Sequence, residues 1–393
     1  MRHLQALPAI GLVTTGRTGS DFLQSLLDGH PQVLMFNGNL QFYADFLASS
    51  VCARAESPAI GDILDEFVGR YIHRFKSRYD FVERKDQLGA ARSESLDVDT
   101  GEFRRHASAL MEGHAPSRRN LLLAIYGAYN LCAGRDPSTS QVLFHHAHRF
   151  DELDLFLREF PGASVIVTTR DPRANFVAGI EHGRSVFTYR DNQKHLYHYL
   201  NHVLDDSTPC ESKRVRYAAV RLEDLPKEDT MRAIAAWVGV EYRPEMLEST
   251  WGGLRWYGDR LSPEAIEENR WTPTRTYNDW ERRLSKKDRY LFNALMFTRL
   301  RHYGYPCTPP RWWDPLVVPL LLCLPLRHER RFFSYSYMRR EPGRRLGRIL
   351  AELSGTCTYY LLRVRRTLLH YFRAARGRPF RGPWIGLDVA GRP

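Results

Sequence analysis

Absences narrow the class of this 393-residue chain before any motif is read. Its six cysteines (Cys52, Cys132, Cys210, Cys307, Cys323, Cys357) lie far apart with none in a CxxC pair. That spacing suggests neither a disulfide scaffold nor a structural zinc site, and a reducing compartment fits. Long apolar runs are missing too: the most apolar stretch, residues 315–326, has 12 residues and three prolines, where a bilayer crossing needs about 20 apolar residues. The residues ahead of the first strand-like run are too few for a charged region, an apolar core and a cleavage site, so a cytoplasmic protein is expected. No segment repeats itself. Lysine is absent from residues 311–393, which instead hold 17 arginines against five acids (Asp314, Glu329, Glu341, Glu352, Asp388).

That last absence locates the charge. The chain carries a net +12, and all of it lies beyond residue 310, because residues 1–310 hold 40 bases and 40 acids. A neutral body with a basic tail points to an electrostatic partner for the tail, lipid head group or nucleic acid, and leaves the chemistry of the body open. With 43% hydrophobic and 12% aromatic residues, the chain can bury a real core.

Residues 9–13 (AIGLV) form a short apolar run that leads into TTGRTGS and then into Phe22, Leu23, Leu26 and Leu27 at helical spacing: strand, glycine-bearing turn, helix. Residues 31–145 read as mainly helical. A second strand, turn and helix follow at 163–169 (ASVIVTT), 170–173 and Phe176, Val177 and Ile180. Residues 217–222 form a third strand, and 231–240 a helix ending at Gly239. Strands alternating with helices predict an α/β fold whose central parallel sheet is covered on both faces. The expected division is a catalytic domain, 1–310, with 31–145 as a helical insert, and a basic helical extension, 311–393. In the extension Leu346, Ile349, Leu350 and Leu353 share one helix face. Leu361, Val364, Leu368 and Phe372 share another, largely opposite Arg363, Arg366 and Arg373, so two amphipathic helices are expected.

A strand that ends in a glycine-bearing loop and opens a helix presents free backbone N–H groups and the positive end of the helix dipole, a setting for phosphate. In TTGRTGS, Arg17 adds a fixed charge and Thr18 and Ser20 add hydroxyls; an ordinary turn with a surface arginine is the plain alternative. Residues 11–18 (GLVTTGRT) match GxxxxGK[ST] with arginine for lysine. No strand ends in a good carboxylate for magnesium, since Asp171 sits between Arg170 and a proline, which weakens an NTPase reading. The second turn offers Arg170 and Arg173, whose guanidiniums suit bidentate bonds to a second phosphate. Two such turns in one sheet fit a nucleotide phosphorylated at both ends.

The run TTGRTGSDFLQSLLDGHPQV, followed about 150 residues later by FPGASVIVTTRDPRANF, resembles the sulfotransferases that use 3′-phosphoadenosine 5′-phosphosulfate (PAPS), in particular their bacterial and Golgi carbohydrate-type branch. VRLEDL at 220–225, and YNDWERRLSKKD running on to HYGYP, extend the resemblance over residues 8–306 and leave the basic tail outside. It implies a P-loop NTPase-like three-layer fold and sulfuryl transfer without a metal. It also implies that Thr15, Gly16, Arg17, Thr18, Gly19 and Ser20 hold the 5′-phosphosulfate, with Arg17 stabilising charge on the leaving phosphate. Arg170, helped by Arg173, takes the 3′-phosphate, and Arg275 in RWTPTR belongs to a basic loop over the donor.

The acceptor has to lose a proton, and the resemblance points to FHHAHR. His148 stands 22 residues before Arg170, close to the family's spacing, and His146 falls where many members have an active-site lysine. On an extended strand end the two share a face, and a neutral imidazole with a pKa near about 6.5 can take the proton. A buried hydrogen-bonded histidine and a zinc-binding trio are the alternatives. Three departures stand out: FNGNL (36–40) has asparagine where many members carry a glutamate base, Ala178 replaces a serine that grips the 3′-phosphate, and Asp21 puts a carboxylate in the phosphate loop.

In this family the insert shapes the acceptor site, so Phe42, Tyr43, Phe46, Tyr126 and Tyr129 are candidates to stack on sugar faces, with core packing as the alternative. The branch implies a saccharide or glycolipid acceptor. The tail reads either as a peripheral anchor on the inner membrane face, with 315–326 as a shallow apolar patch and arginine faces meeting anionic lipid, or as helices packed on the body or on a second copy in a homo-oligomer. Nucleic acid is the least supported partner, because no reading motif accompanies the charge. The rival functions are a P-loop kinase or NTPase and a non-catalytic protein that binds membrane or nucleic acid.

Overall fold

A computed structural model describes residues 1–14, 16–46, 59–79, 85–185, 192–205, 215–225, 227–258, 280–339, 345–376 and 384–385. In chain order the main elements are β1 (Ala9–Thr14), α1 (Ser20–Leu27), β2 (Val33–Met35), α2 (Ile60–Arg70), α3 (Thr100–Met111), α4 (Arg118–Cys132), β3 (Val142–His148), α5 (Phe150–Glu159), β4 (Ser164–Thr169), α6 (Pro172–Ser185) and α7 (Gln193–Asp205). There follow β5 (Tyr217–Arg221), α8 (Glu228–Val238), β6 (Thr250–Trp251), β7 (Leu254–Arg255), α9 (Lys286–His302), α10 (Asp314–Leu322), α11 (Leu346–Arg376) and β8 (Trp384–Ile385). They form two compact units: Met1–Thr169 with Ser207–Thr272 and Pro383–Pro393, and Arg170–Asp206 with Pro273–Gly382.

The first unit is built on a sheet in the order β2-β3-β1-β4-β5-β8, every pair parallel. Side chains alternate across it, as a pleated strand requires. Leu143, Ala147, Val165 and Val167 enter one core with α3, α4 and α5, while Ile10, Leu12, Phe144, Ile166, Ala218 and Val220 enter a second core with α1 and α8. This is the expected three-layer α/β arrangement. The strands foreseen at 9–13, 163–169 and 217–222 are β1, β4 and β5. α8 ends where expected, at Gly239 in the left-handed conformation.

The reading of 31–145 as mainly helical needs correction. α2, α3 and α4 lie in it, but β2 and the first part of β3 do too. β2 has three residues, too few to show a period, and the histidines of VLFHHAH interrupt the apolar run that marks a buried strand.

The described residues of the second unit are helical, with α7, α9 and α10 packed on α11. Leu346–Arg376 form one 31-residue helix in place of the two expected, and its inward side is not the leucine stripe. Thr356, Arg363, Thr367 and Tyr371 are buried, whereas Leu361 is 64% and Phe372 44% exposed. Arg363 is drawn in by Glu329, which it meets at 2.7 and 3.0 Å, and it also donates to the Leu322 and Leu324 carbonyls near the end of α10. Among the described residues no helix is long and apolar enough to cross a membrane.

Candidate active site

Because the sheet is parallel, β1, β3 and β4 end on the same edge. β1 lies between the other two, so the chain leaves it first toward one side and later toward the other. In open parallel sheets, ligands bind outside the strand ends at such a point. The register puts Val13 opposite His148 and Thr14 opposite Thr168, so the loop after β1, the end of β3 and the end of β4 meet there.

The loop is shaped by left-handed residues: φ is +83° at Gly16, +53° at Arg17 and +87° at Gly19. Turns of this kind bring successive N–H groups toward one anion, and α1 begins immediately, with the Leu23 N–H on the Gly19 carbonyl at 2.9 Å. Gly19 is needed twice over. A Cβ there would be strained by φ and would lie 2.3 Å from Leu222 Cδ1, so VRLEDL supports the loop from behind. The Thr18 hydroxyl is buried and bonds to Thr168 (2.8 Å) and to Thr14, whose oxygen also accepts from the Gly16 N–H (3.0 Å). It therefore braces the loop between β1 and β4. Gly11, the first glycine of the GxxxxGK-like pattern, serves packing: a Cβ there would lie 2.7 Å from Leu153 of α5.

The three histidines near the end of β3 have three environments. His145 points into the first core, bonds to the Tyr126 hydroxyl (2.8 Å) and stacks on Phe156; burial pulls its pKa down to about 3. His146, on the other face, donates Nδ1–H to Gln24 Oε1 (3.0 Å), which fixes its tautomer and leaves Nε2 as a buried acceptor without a hydrogen-bond partner among the described residues. Burial first, then the fields of His148 and Arg74, hold its pKa well below the usual value, so it is neutral. His148 is the partly exposed one. A bulge at Ala147 precedes it, its φ is +60°, and its ring lies 5.4 Å from that of His146. Bulges beside sites re-aim side chains in this way.

Asp21 turns toward His146, with Oδ1 3.5 Å from Nδ1, too long for a hydrogen bond beside the Gln24 contact. Gln24 escaped the sequence reading, although a glutamine among Leu23, Leu26 and Leu27 on the buried side of α1 is a legible signal. In FNGNL, the Leu40 N–H donates to the His146 carbonyl (3.1 Å) and Asn39 accepts from Arg74 (3.3 Å). Asn37, with its amide oriented to satisfy both sides, donates to Asp28 (3.2 Å) and accepts from the Gly252 N–H (2.5 Å). The Leu40 bond ties the segment to the end of β3, and the asparagines tie it to Asp28, Gly252 and Arg74.

In the second unit Arg170 directly follows β4 and is 8% exposed. Arg173, expected beside it on a phosphate, is committed elsewhere. Its guanidinium is bidentate to Asp171 (2.9 and 2.7 Å), whose Oδ1 also takes the Arg173 N–H, and it stacks on Trp280 at 4.3 Å. The tryptophan of YNDWERRL thus supports the RDPR turn. Asn175 accepts from the Tyr199 hydroxyl (2.7 Å), next to the place where Ala178 replaces serine.

The aromatic residues suggested for sugar stacking are core: Phe42, Phe46, Tyr126 and Tyr129 are fully buried and Tyr43 is 4% exposed. Thr15 and Arg275 lie outside the described residues. Among the described residues no three His, Cys, Asp or Glu side chains converge as a metal site. A cleft of about 310 Å³ bordered by Asp28, His30, Arg243 and Thr250 sits at the C-terminal end of α1, away from the loop.

Two solved structures are similar to the chain: a sulfotransferase domain from the curacin biosynthetic pathway (13% identity, 70% of this chain and 91% of that one, TM-score 0.39) and a sulfotransferase domain from the Synechococcus PCC 7002 olefin synthase (16%, 70% and 88%, TM-score 0.36). No curated protein matches. The profile of the Sulfotransferase family matches residues 8–244, a span that holds the loop, the histidines and the RDPR turn, and the chain belongs to that family.

Proposed function

We propose that this sulfotransferase moves the sulfuryl group of PAPS to a hydroxyl of a saccharide or glycolipid, with His148 as general base and Arg17 stabilising the leaving phosphate. One observation carries the reading. Of the three described non-glycine residues with a left-handed backbone, two are Arg17 and His148, on adjacent strand ends. Such conformations cost on the order of 1–3 kcal/mol each and cluster where a site over-determines them.

In the reaction the acceptor oxygen forms the new S–O bond while its proton passes to the His148 imidazole, and the bond from sulfur to the bridging phosphate oxygen breaks. Adenosine 3′,5′-bisphosphate leaves, and the charge it gains is met by Arg17 and the loop N–H groups. His146, held neutral and oriented by Gln24, keeps a second imidazole beside the base. Arg170 takes the 3′-phosphate, while Arg173, paired with Asp171, shapes its turn. The acceptor class rests on the resemblance of the loop motifs alone.

Thermal shift tests the donor: adenosine 3′,5′-bisphosphate stabilises the protein with EDTA present. Stabilisation by magnesium-ATP alone points instead to a kinase and overturns the reading. With labelled PAPS and a panel of glycan and lipid acceptors, His148→Ala lowers transfer by about 10²–10⁴-fold and keeps the bisphosphate shift, whereas Arg17→Ala loses both.

A further inference from the structure

α10 carries an apolar face that no described residue of its own unit covers. Val318, Leu322 and Leu326 turn inward, but Trp312, Leu316, Leu320 and Leu324, four residues apart, are 85%, 73%, 71% and 50% exposed. A helix at a protein surface ordinarily shows polar residues to water, and contiguous exposed apolar area marks an interaction site. Here residues 315–326 contain no polar side chain other than Cys323.

The charges around this face are sorted by sign. Residues 311–339 include two acids, and both are buried. Asp314 takes the Tyr290 hydroxyl and the Arg311 N–H (2.8 Å); Glu329 takes Arg363, Gln193 and the Leu326 N–H (2.8 Å). Arg311, Arg327, Arg330 and Arg339 are exposed. With its acids turned inward, the charged side chains that residues 311–339 show to water are arginines.

We propose that this face of α10 docks on an anionic phospholipid bilayer, with the helix lying in the plane of the interface. At nine residues α10 is too short to cross, and an apolar face with a tryptophan at one end and arginines at both is suited to the head-group boundary. The sign of the charge selects the occupant. A second copy meeting the same face across a twofold axis would bring like-charged rims together, whereas anionic lipid neutralises them. The docking surface is thus the short apolar helix, and the long helix α11, whose Arg363 is buried, supports it from within.

Sedimentation of the full chain with vesicles of phosphatidylcholine, with and without phosphatidylglycerol, tests this. Binding is expected to the anionic vesicles and to weaken with salt. Leu316→Glu/Leu320→Glu lowers the partition coefficient by at least about tenfold without moving the thermal midpoint, because both side chains are exposed. Arg327→Glu/Arg330→Glu removes most of the salt dependence. Both variants keep the shift with adenosine 3′,5′-bisphosphate, so a failure here is separate from a failure of the donor reading. Equal partition of wild type and leucine variant overturns the proposal. So does a dimer in sedimentation velocity that the leucine variant dissociates, since the face then belongs to a second copy.

Discussion

His145, His146 and His148 are the same side chain three times within four residues, and their surroundings make them different chemical groups. Because β3 alternates, His145 faces a core of aromatic rings while His146 faces α1; the bulge at Ala147 and the left-handed backbone then place His148 beside His146 and less buried. A pH dependence of stability follows. The unfolded chain protonates His145 near its ordinary pKa of 6.5, the folded chain only at about 3, so between these values the unfolded state binds more protons. Stability is therefore complete above about pH 6.5 and lost as the pH falls toward 3, with a slope of up to about 1.4 kcal/mol per pH unit from this residue. The thermal midpoint is expected to drop on acidification, and His145→Phe/Tyr126→Phe, which removes both hydrogen-bond partners, to flatten the drop. An unchanged slope would assign the acid sensitivity to other groups. The resemblance pointed to a histidine of this run as the candidate base. Which of the three is partly exposed was not legible, because the answer lies in Gln24, Tyr126 and Phe156, none adjacent in sequence.

At the scale of elements, close packing decides what the glycines do. Gly11 looks like part of a phosphate loop, yet it sits inside β1 and lets α5 approach the sheet, with Leu153 where its Cβ would be. Gly11→Ala is expected to destabilise the protein by about 1–3 kcal/mol through overpacking. Adding Leu153→Ala should recover part of the loss, a coupling that denaturant unfolding of the double-mutant cycle measures. Additive losses would show that α5 does not rest on that position. The β1 to α1 unit could be read from residues 9–27 because strand, left-handed glycines and helix start are each local. β3 could not, since its burial comes from β1 and β2 on either side and three of its seven residues are histidine.

At the scale of the whole molecule, the basic tail is more than an appendage. Residues 311–339 and 345–376 pack in the same compact unit as α6, α7 and α9, and Arg363 and Glu329, both fully buried, tie α11 to the segment after α10. Breaking a buried pair by removing one partner leaves an uncompensated charge, so Arg363→Met should cost about 3–5 kcal/mol in urea unfolding. A chain ended at residue 310 should lose a cooperative transition; retention of the full wild-type melt would show that the extension is dispensable for folding. By itself the sequence determined the alternation of strands and helices, the phosphate-suited loop around Arg17, the family, and the confinement of the net charge to residues 311–393, because each depends on neighbours along the chain or on a count. Only the tertiary structure decided that Arg173 belongs to Asp171 and Trp280, that the candidate sugar-stacking rings are core, and that Asp314 and Glu329 turn inward while four apolar side chains of the α10 segment face water. Those outcomes follow from burial and pairing between residues distant in sequence, which no local pattern encodes.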